Sequence, residues 1–212
     1  MIITLSSLKG GTGKTSLSVH LAHAIALSGS RVILIDADPQ ASASDWAAAR
    51  EDKPPFPVVG MARDTLHRDL DDLTENYAHT VIDTPPRVSA LARSAILAAD
   101  LVLIPVQPSS YDVWAAAETV KLVEEAQQYK GNLKAAFVIN RKITNTSIGA
   151  EVSAALSDYS PPVLESAIAQ RVSFAEASAG YTVLEDAPKS AAADEIRALA
   201  DNVLRFMEVE KW

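Results

Sequence analysis

The stretch "LKGGTGKTSLSVHLAHAIALSG", Leu8–Gly29, decides the fold. Its first part packs three glycines and two lysines into Lys9–Thr15, directly after the apolar "MIITLSS" of Met1–Ser7. Its second part sets Leu17, Leu21, Ala24, Ile25 and Ala26 at helical spacing and stops at Gly29, a residue that closes a helix without steric penalty. The pattern predicts a strand over Ile2–Ser6, a glycine loop, and a helix over Lys14–Ser28. In that order, loop N–H groups can turn inward around an anion, and the helix N-terminus adds partial positive charge.

Working outward, the same alternation continues. Apolar runs predict strands over Arg31–Asp38, at the end of the proline-rich Lys53–Val59, and over Thr80–Pro86, Leu101–Val106, Ala135–Arg141 and Pro161–Ile168. Helices are expected over Ala41–Arg50, Arg63–Asn76, Arg87–Ala99, Tyr111–Tyr129, Asn145–Asp158, Gln170–Ala179 and Ser190–Glu208. The strands read as unbroken apolar runs, which suits strands buried on both faces. The expected fold class is α/β: a single-domain P-loop NTPase with a mostly parallel twisted sheet and helices on both faces. A chain of 212 residues suits one domain, and 48% hydrophobic with 6% aromatic residues implies a core of Val, Ile, Leu and Ala. The chain has no cysteine, which excludes disulfides, thiolate metal sites and cysteine-held iron–sulfur clusters. No apolar run has transmembrane length and "MIITLSS" has no charged leader region, so a cytoplasmic protein is expected.

The loop carries the chemistry. Gly10, Gly11 and Gly13, with Thr12 between them, wrap phosphates with backbone N–H groups. Lys14 reaches the β- and γ-phosphates, Thr15 sets its hydroxyl on Mg²⁺, and Ser16 continues the site into the helix. The usual spacing G-x-x-x-x-G-K-[ST] fails at its first position, where Leu8 stands. Lys9, one residue before the glycines, cannot easily point into its own cradle. A role in trans is physically sensible, supplying charge to a transition state only after two copies meet. Two strands end in acids where ligands bind in such sheets: Asp36 and Asp38 in "DADPQ", and Asp83 in "VIDTPP". A P-loop enzyme needs one carboxylate for the metal and a group to orient the attacking water. Alone, each acid reads equally well as a cap on the next helix.

The K-G-G-T-G-K-T loop, "DADPQ", "VIDTPP", "LVLIPVQPSSYD", "FVINRK" and "IAQRVSFAEASAGYTVLE" together resemble the ParA/MinD family of deviant Walker A ATPases, over nearly the whole chain. The short ParF-like plasmid-partition subgroup is the nearest likeness, with residues 1–212 expected to form one ATPase domain lacking an N-terminal DNA-binding extension. The resemblance implies that Lys9 contacts the phosphates of a partner's nucleotide. It implies that Lys14 and Asp38 are catalytic, that Asp36 and Asp83 serve the metal with Thr15, and that Thr84–Arg87 senses the γ-phosphate. Asn140 would meet the adenine edge with Arg141 beside it, and Asp112 would serve the dimer interface. The implied cofactors are ATP and Mg²⁺. The implied partners are a second copy in the ATP state, a ParB-type centromere-binding protein and non-specific double-stranded DNA, with no membrane. The implied activity is slow ATP hydrolysis, stimulated by the partner and driving plasmid segregation at the nucleoid.

Charge gives a mixed answer on DNA. The net charge of −8 argues against constitutive nucleic-acid binding. Yet no acid lies in 126–150, which holds Lys130, Lys134, Arg141 and Lys142, and Arg171 follows. Lys130, Lys134, Lys142 and Arg171 are the candidate DNA contacts, and a solvated helix end is the alternative reading. The C-terminal stripe of Ile196, Leu199, Val203, Leu204 and Met207 has an acidic polar side, so it reads as a core-packing face rather than a membrane anchor. Two other readings stay open: a positioning ATPase with a protein cargo, and a P-loop metabolic ligase, which would gain nothing from Lys9.

Overall fold

Six strands form one sheet: β1 (Ile2–Leu5), β2 (Val32–Asp36), β3 (Val58–Gly60), β4 (His79–Asp83), β5 (Leu101–Val106) and β6 (Lys134–Ile139). The computed structural model describes residues 1–212 except Val88, Asn145, Ser147 and Ser178. The spatial order is β3-β2-β4-β1-β5-β6, and every pairing is parallel. The helices are α1 (Lys14–Leu27), α2 (Ser42–Ala48), α3 (Leu66–Thr74), α4 (Ala90–Ala98), α5 (Ser110–Gln127), α6 (Ile148–Leu156), α7 (Val172–Glu176), α8 (Val183–Asp186) and α9 (Ala191–Met207).

Alternation along the strands sorts the core onto two faces. Ile3, Leu5, Leu34, Val81, Leu103 and Val138 pack with α1 and α9. Ile33, Ile35 and Ile82 turn the other way, onto Leu66 of α3 and Ala95 of α4. Val102, Ile104 and Phe137 meet α5 and α6 on that same side. Both faces are therefore buried, which is why the strands read as continuous apolar runs. Ile196, Leu199 and Val203 of α9 are buried in the first cluster, so the C-terminal stripe is a packing face. No described helix is long and apolar enough to cross a membrane.

Two elements differ from the sequence reading. Pro161–Ile168 is not a strand: it has one isolated parallel bridge to β6, Phe137 with Val163, and a second bridge, Lys142 with Ala169, falls just past the ends of both segments. Its ladder bonds join Leu164 to Phe137 and Ile168 to Ile139, so this segment advances four residues while β6 advances two. The surplus bulges out, and Asn202 Oδ1 of α9 accepts the freed Ser166 N–H at 3.1 Å. The short α8 was not expected. It is set by a capping box in which Thr182 and Glu185 satisfy each other's backbone N–H groups. The expected helix start at Asn145 lies outside the described residues.

The central strand β1 lies between β4 and β5, and its chain runs directly into the glycine loop. The carboxyl ends of β2, β4, β5 and β6 surround that loop, at the switch point where open α/β sheets bind ligands.

Candidate nucleotide-binding site

The loop between β1 and α1 bends through left-handed backbone at Gly11 (φ 78°) and Gly13 (φ 88°), a region open to glycine. Gly10 and Gly11 are exposed, while Thr12 and Lys14 are buried. The first turn of α1 contains no acid, so its free N–H groups face an anion without competition. Burial lowers the Lys14 pKa, against the charges of Asp83 and Asp38, which raise it. Lys14 Nζ donates to the Lys9 carbonyl at 3.4 Å, which arches the amine back over the loop.

Thr15 Oγ1 donates to Asp83 Oδ2 at 2.6 Å, and Ser18 Oγ donates to Oδ1 at 3.2 Å. With its proton committed to Asp83, the Thr15 hydroxyl has its lone pairs free for a cation. Burial raises the Asp83 pKa to about 7, the Thr15 bond lowers it, and the nearby Asp36 charge raises it further. A second buried carboxylate charge near Asp83 favours a divalent cation beside it. No cluster of three or more His, Cys, Asp or Glu side chains suited to a metal exists among the described residues. A Mg²⁺ held by one hydroxyl, one carboxylate, phosphates and water fits that donor set.

The "DADPQ" acids divide their work. Asp36 Oδ2 accepts from Ser44 N–H and Ser44 Oγ, both at 2.8 Å, so it ties down the first turn of α2. Ala41, the residue before that helix, sits at φ 57° and offers no capping side chain, which leaves the cap to Asp36. Asp38 is half-buried; its Oδ1 accepts from Gln40 N–H at 2.9 Å, and it is near enough to affect Lys14. Lys9 turns away from the cradle. Its Nζ pairs with Asp112 Oδ2 at 2.7 Å, and Ser109 Oγ donates to the same oxygen at 2.5 Å. Asp112 Oδ1 is buried without a hydrogen-bond partner.

A cavity of about 520 Å³ opens beside the loop. Gly13, Thr15, Ser16, Asn140, Arg141 and Phe174 are among the residues that line it. Its lining includes His20, which the sequence did not single out. His20 Nδ1 donates to the Ser16 carbonyl at 2.7 Å, which leaves Nε2 to accept from Val183 N–H at 3.1 Å. Burial pushes the His20 pKa down to about 4, so the ring is neutral. A histidine inside an apolar helix gives no sequence signal of this kind.

The candidate DNA residues do not share one place. Lys134 opens β6 and Lys130 precedes it, at the amino end of the sheet, whereas Lys142 and Arg171 lie past the carboxyl end. Lys130 Nζ meets the Ala98 carbonyl and Asp100, Lys134 lies 3.9 Å from Glu208, and Arg171 binds Glu195 at 2.6 Å. Within one chain, β6 alone, six residues long, holds the two pairs roughly 16 Å or more apart.

Comparison with known proteins agrees with this geometry. Residues 3–182 match the CobQ/CobB/MinD/ParA nucleotide binding domain. The chain is 30% identical over 207 residues to maintenance of carboxysome distribution protein A of Halothiobacillus neapolitanus, covering 95% of each. It is 29% identical over 235 residues to the chromosome-partitioning ATPase Soj of Thermus thermophilus, covering 95% of this chain and 94% of Soj. Among solved structures, a Cyanothece McdA variant in complex with ATP superposes with a TM-score of 0.81 at 17% identity, covering 100% of this chain and 97% of that one. MinD of Pyrococcus horikoshii with Mg-ADP superposes at 0.79 and 21%, covering 99% and 98%.

Proposed function

The chain belongs to the CobQ/CobB/MinD/ParA nucleotide-binding family, and from that premise we propose that it is a Mg²⁺-dependent ParA-type ATPase that dimerises on ATP and grips DNA in that state. Lys9 carries the reading: it stands at the mouth of the loop yet pairs with Asp112 at 2.7 Å, away from its own cradle. A lysine in that position has no use for its own nucleotide and is available to a second copy. In the free chain Asp112 parks it; in the dimer it adds positive charge to the partner's phosphates.

The ligands are ATP and Mg²⁺, supported by the ATP in the McdA complex and the Mg-ADP in MinD. The metal neutralises charge between the β- and γ-phosphates. Lys14 supplies a desolvated cation, whose effect is large because water is excluded. Thr15 and Asp83 hold the metal, and Asp36 braces α2 so that Asp38 stays beside the cradle to orient the attacking water. Thr84–Arg87 senses the γ-phosphate: Arg87, at φ 77°, donates its N–H to the Leu8 carbonyl at 2.9 Å, tying this segment to the loop.

The cargo follows from the partner. We assign plasmid segregation with a ParB-type centromere-binding protein, in keeping with the chromosome-partitioning name of the Thermus relative. A protein assembly is the second reading, favoured by the Halothiobacillus relative. The test uses Asp38→Ala, which holds ATP without cleaving it. The variant is titrated onto random-sequence duplex DNA with ATP and then with ADP, at two salt concentrations. Salt-sensitive binding with ATP alone is expected. A dimer that forms with ATP yet ignores DNA sinks the DNA half of the proposal.

A further inference from the structure

Two side-chain amides hold the glycine loop from outside. Gln107 is the first residue after β5 and Asn140 the first after β6. Asn140 N–H donates to the Val106 carbonyl at 2.9 Å, so these strand ends stand side by side. Gln107 Nε2 donates to the Gly11 carbonyl at 2.6 Å, and Asn140 Nδ2 donates to the Thr12 carbonyl at 2.7 Å. Asn140 Oδ1 accepts from Arg141 N–H at 2.9 Å. Each end of the Asn140 amide thus holds one of the two bonds it can make. The Oδ1 bond sits on a left-handed Arg141 (φ 54°), an uncommon conformation for a long side chain. The pairing is close: a Cβ on Gly13 would fall 2.3 Å from Asn140 Nδ2.

Peptide planarity turns these contacts into a function. In a planar trans peptide, a carbonyl and the following N–H point in opposite directions. Drawing the Gly11 carbonyl out to Gln107 turns the Thr12 N–H away from Gln107. Drawing the Thr12 carbonyl out to Asn140 turns the Gly13 N–H the other way, toward the side where phosphate would lie. Anion binding by a glycine loop depends on such N–H groups being aimed before the ligand arrives.

We propose that Gln107 and Asn140 are positioning residues that aim the Thr12 and Gly13 N–H groups at the phosphates. The inference rests on the nucleotide-site reading above.

The test is calorimetry of the full chain with MgATP and MgGTP, for wild type, Gln107→Ala, Asn140→Ala and Asn140→Asp. Each variant is expected to lose roughly 5- to 10-fold in affinity for both nucleotides, the worth of about one hydrogen bond, with the ATP/GTP ratio unchanged in Gln107→Ala. Asn140→Asp keeps the acceptor for Arg141 but loses the donor to Thr12, so it should bind as poorly as Asn140→Ala. In nucleotide-free NMR spectra the Thr12 and Gly13 amide resonances should move in the variants, while those of β1 stay in place. Wild-type affinity in both alanine variants would overturn the proposal, as would an Asn140→Ala chain that loses affinity for MgATP while keeping it for MgGTP. If Asn140→Ala fails to fold, Gln107→Ala, whose side chain is near the surface, decides the matter. A wild-type chain that binds neither nucleotide sinks the site reading instead, and the loop resonances still judge the brace.

Discussion

The two ends of the sheet are built to different standards. At the amino ends, polar groups are mostly closed off by ordinary partners, His79 Nδ1 apart. The Met1 amine meets the Ala78 carbonyl, Asp100 takes the Ile2 N–H and Lys130 takes the Ala98 carbonyl. At the carboxyl ends, Asp83 is buried with Asp36 as a neighbour, Lys14 is a desolvated cation, and Thr12 Oγ1 and Asp112 Oδ1 lack partners. Three non-glycine residues there, Ala41, Arg87 and Arg141, take left-handed backbone just past β2, β4 and β6. One end is folded for stability; the other holds strain and buried charge that only a ligand relieves.

The largest expected effect tests that contrast directly. Lys14→Met should lower ATP turnover by at least about 10³-fold, roughly 4 kcal/mol of barrier, because a charge aimed at the transition state is lost. The same change should leave the nucleotide-free chain as stable as wild type or more so, since it removes a desolvated cation. Phosphate release and thermal unfolding of the apo chain check the two halves; a destabilised apo variant would break the contrast. Leu103→Ala in β5 should do the reverse. Leu103 is 1% exposed, and its truncation should cost about 3 kcal/mol in urea unfolding while turnover per folded molecule holds.

A smaller effect concerns acid. His79 opens β4 against Trp212, with rings 5.3 Å apart, and its Nδ1 is buried without a partner. Burial, and then the N-terminal charge, push its pKa down to about 4. Above about pH 6.5 the ring is neutral in both folded and unfolded chains, so it adds nothing to pH dependence. As pH falls from there toward 4, only the unfolded chain takes up the proton, and stability drops. His79→Leu should remove on the order of 1–3 kcal/mol of that acid loss, read from urea midpoints at pH 7 and pH 4.5. His20 has the same sign, so some acid dependence should persist in the variant.

What the sequence disclosed follows the same division. The buried strands were legible because apolar runs have no other use, and β5 occupies the residues expected of it. The loop was legible because Gly11 and Gly13 need left-handed backbone and Lys14 follows them directly. Pro161–Ile168 misled because it is as apolar as a strand, while the surplus that breaks its ladder is a matter of register with β6, settled by Asn202 from a distant helix. Gln107 was invisible for a related reason. Its meaning is a 2.6 Å bond to a carbonyl 96 residues earlier in the chain, and no local pattern marks an amide that acts across two strands. Asn140 drew notice for a base contact; its bond to Thr12 emerges only when β6 stands behind the loop.

The smallest effect concerns DNA, where the two ends compete for one role. Lys130 and Lys134 belong to the amino end, and each already has an acid partner within the chain. Arg171 is likewise engaged, by Glu195. Lys142 is half-buried, follows the exposed Arg141, and has no acid partner among the described residues. A cation neutralised at home releases few counterions on meeting a phosphate, whereas a free one contributes fully. Lys142→Ala should therefore lower the ATP-dependent DNA affinity of the Asp38→Ala chain a few-fold and reduce its salt slope by about 1, with Lys130→Ala changing little. The opposite ranking would move the DNA face to the amino end of the sheet. Nucleotide state would then have to reach DNA through the whole depth of the core rather than through the loops that touch the phosphates.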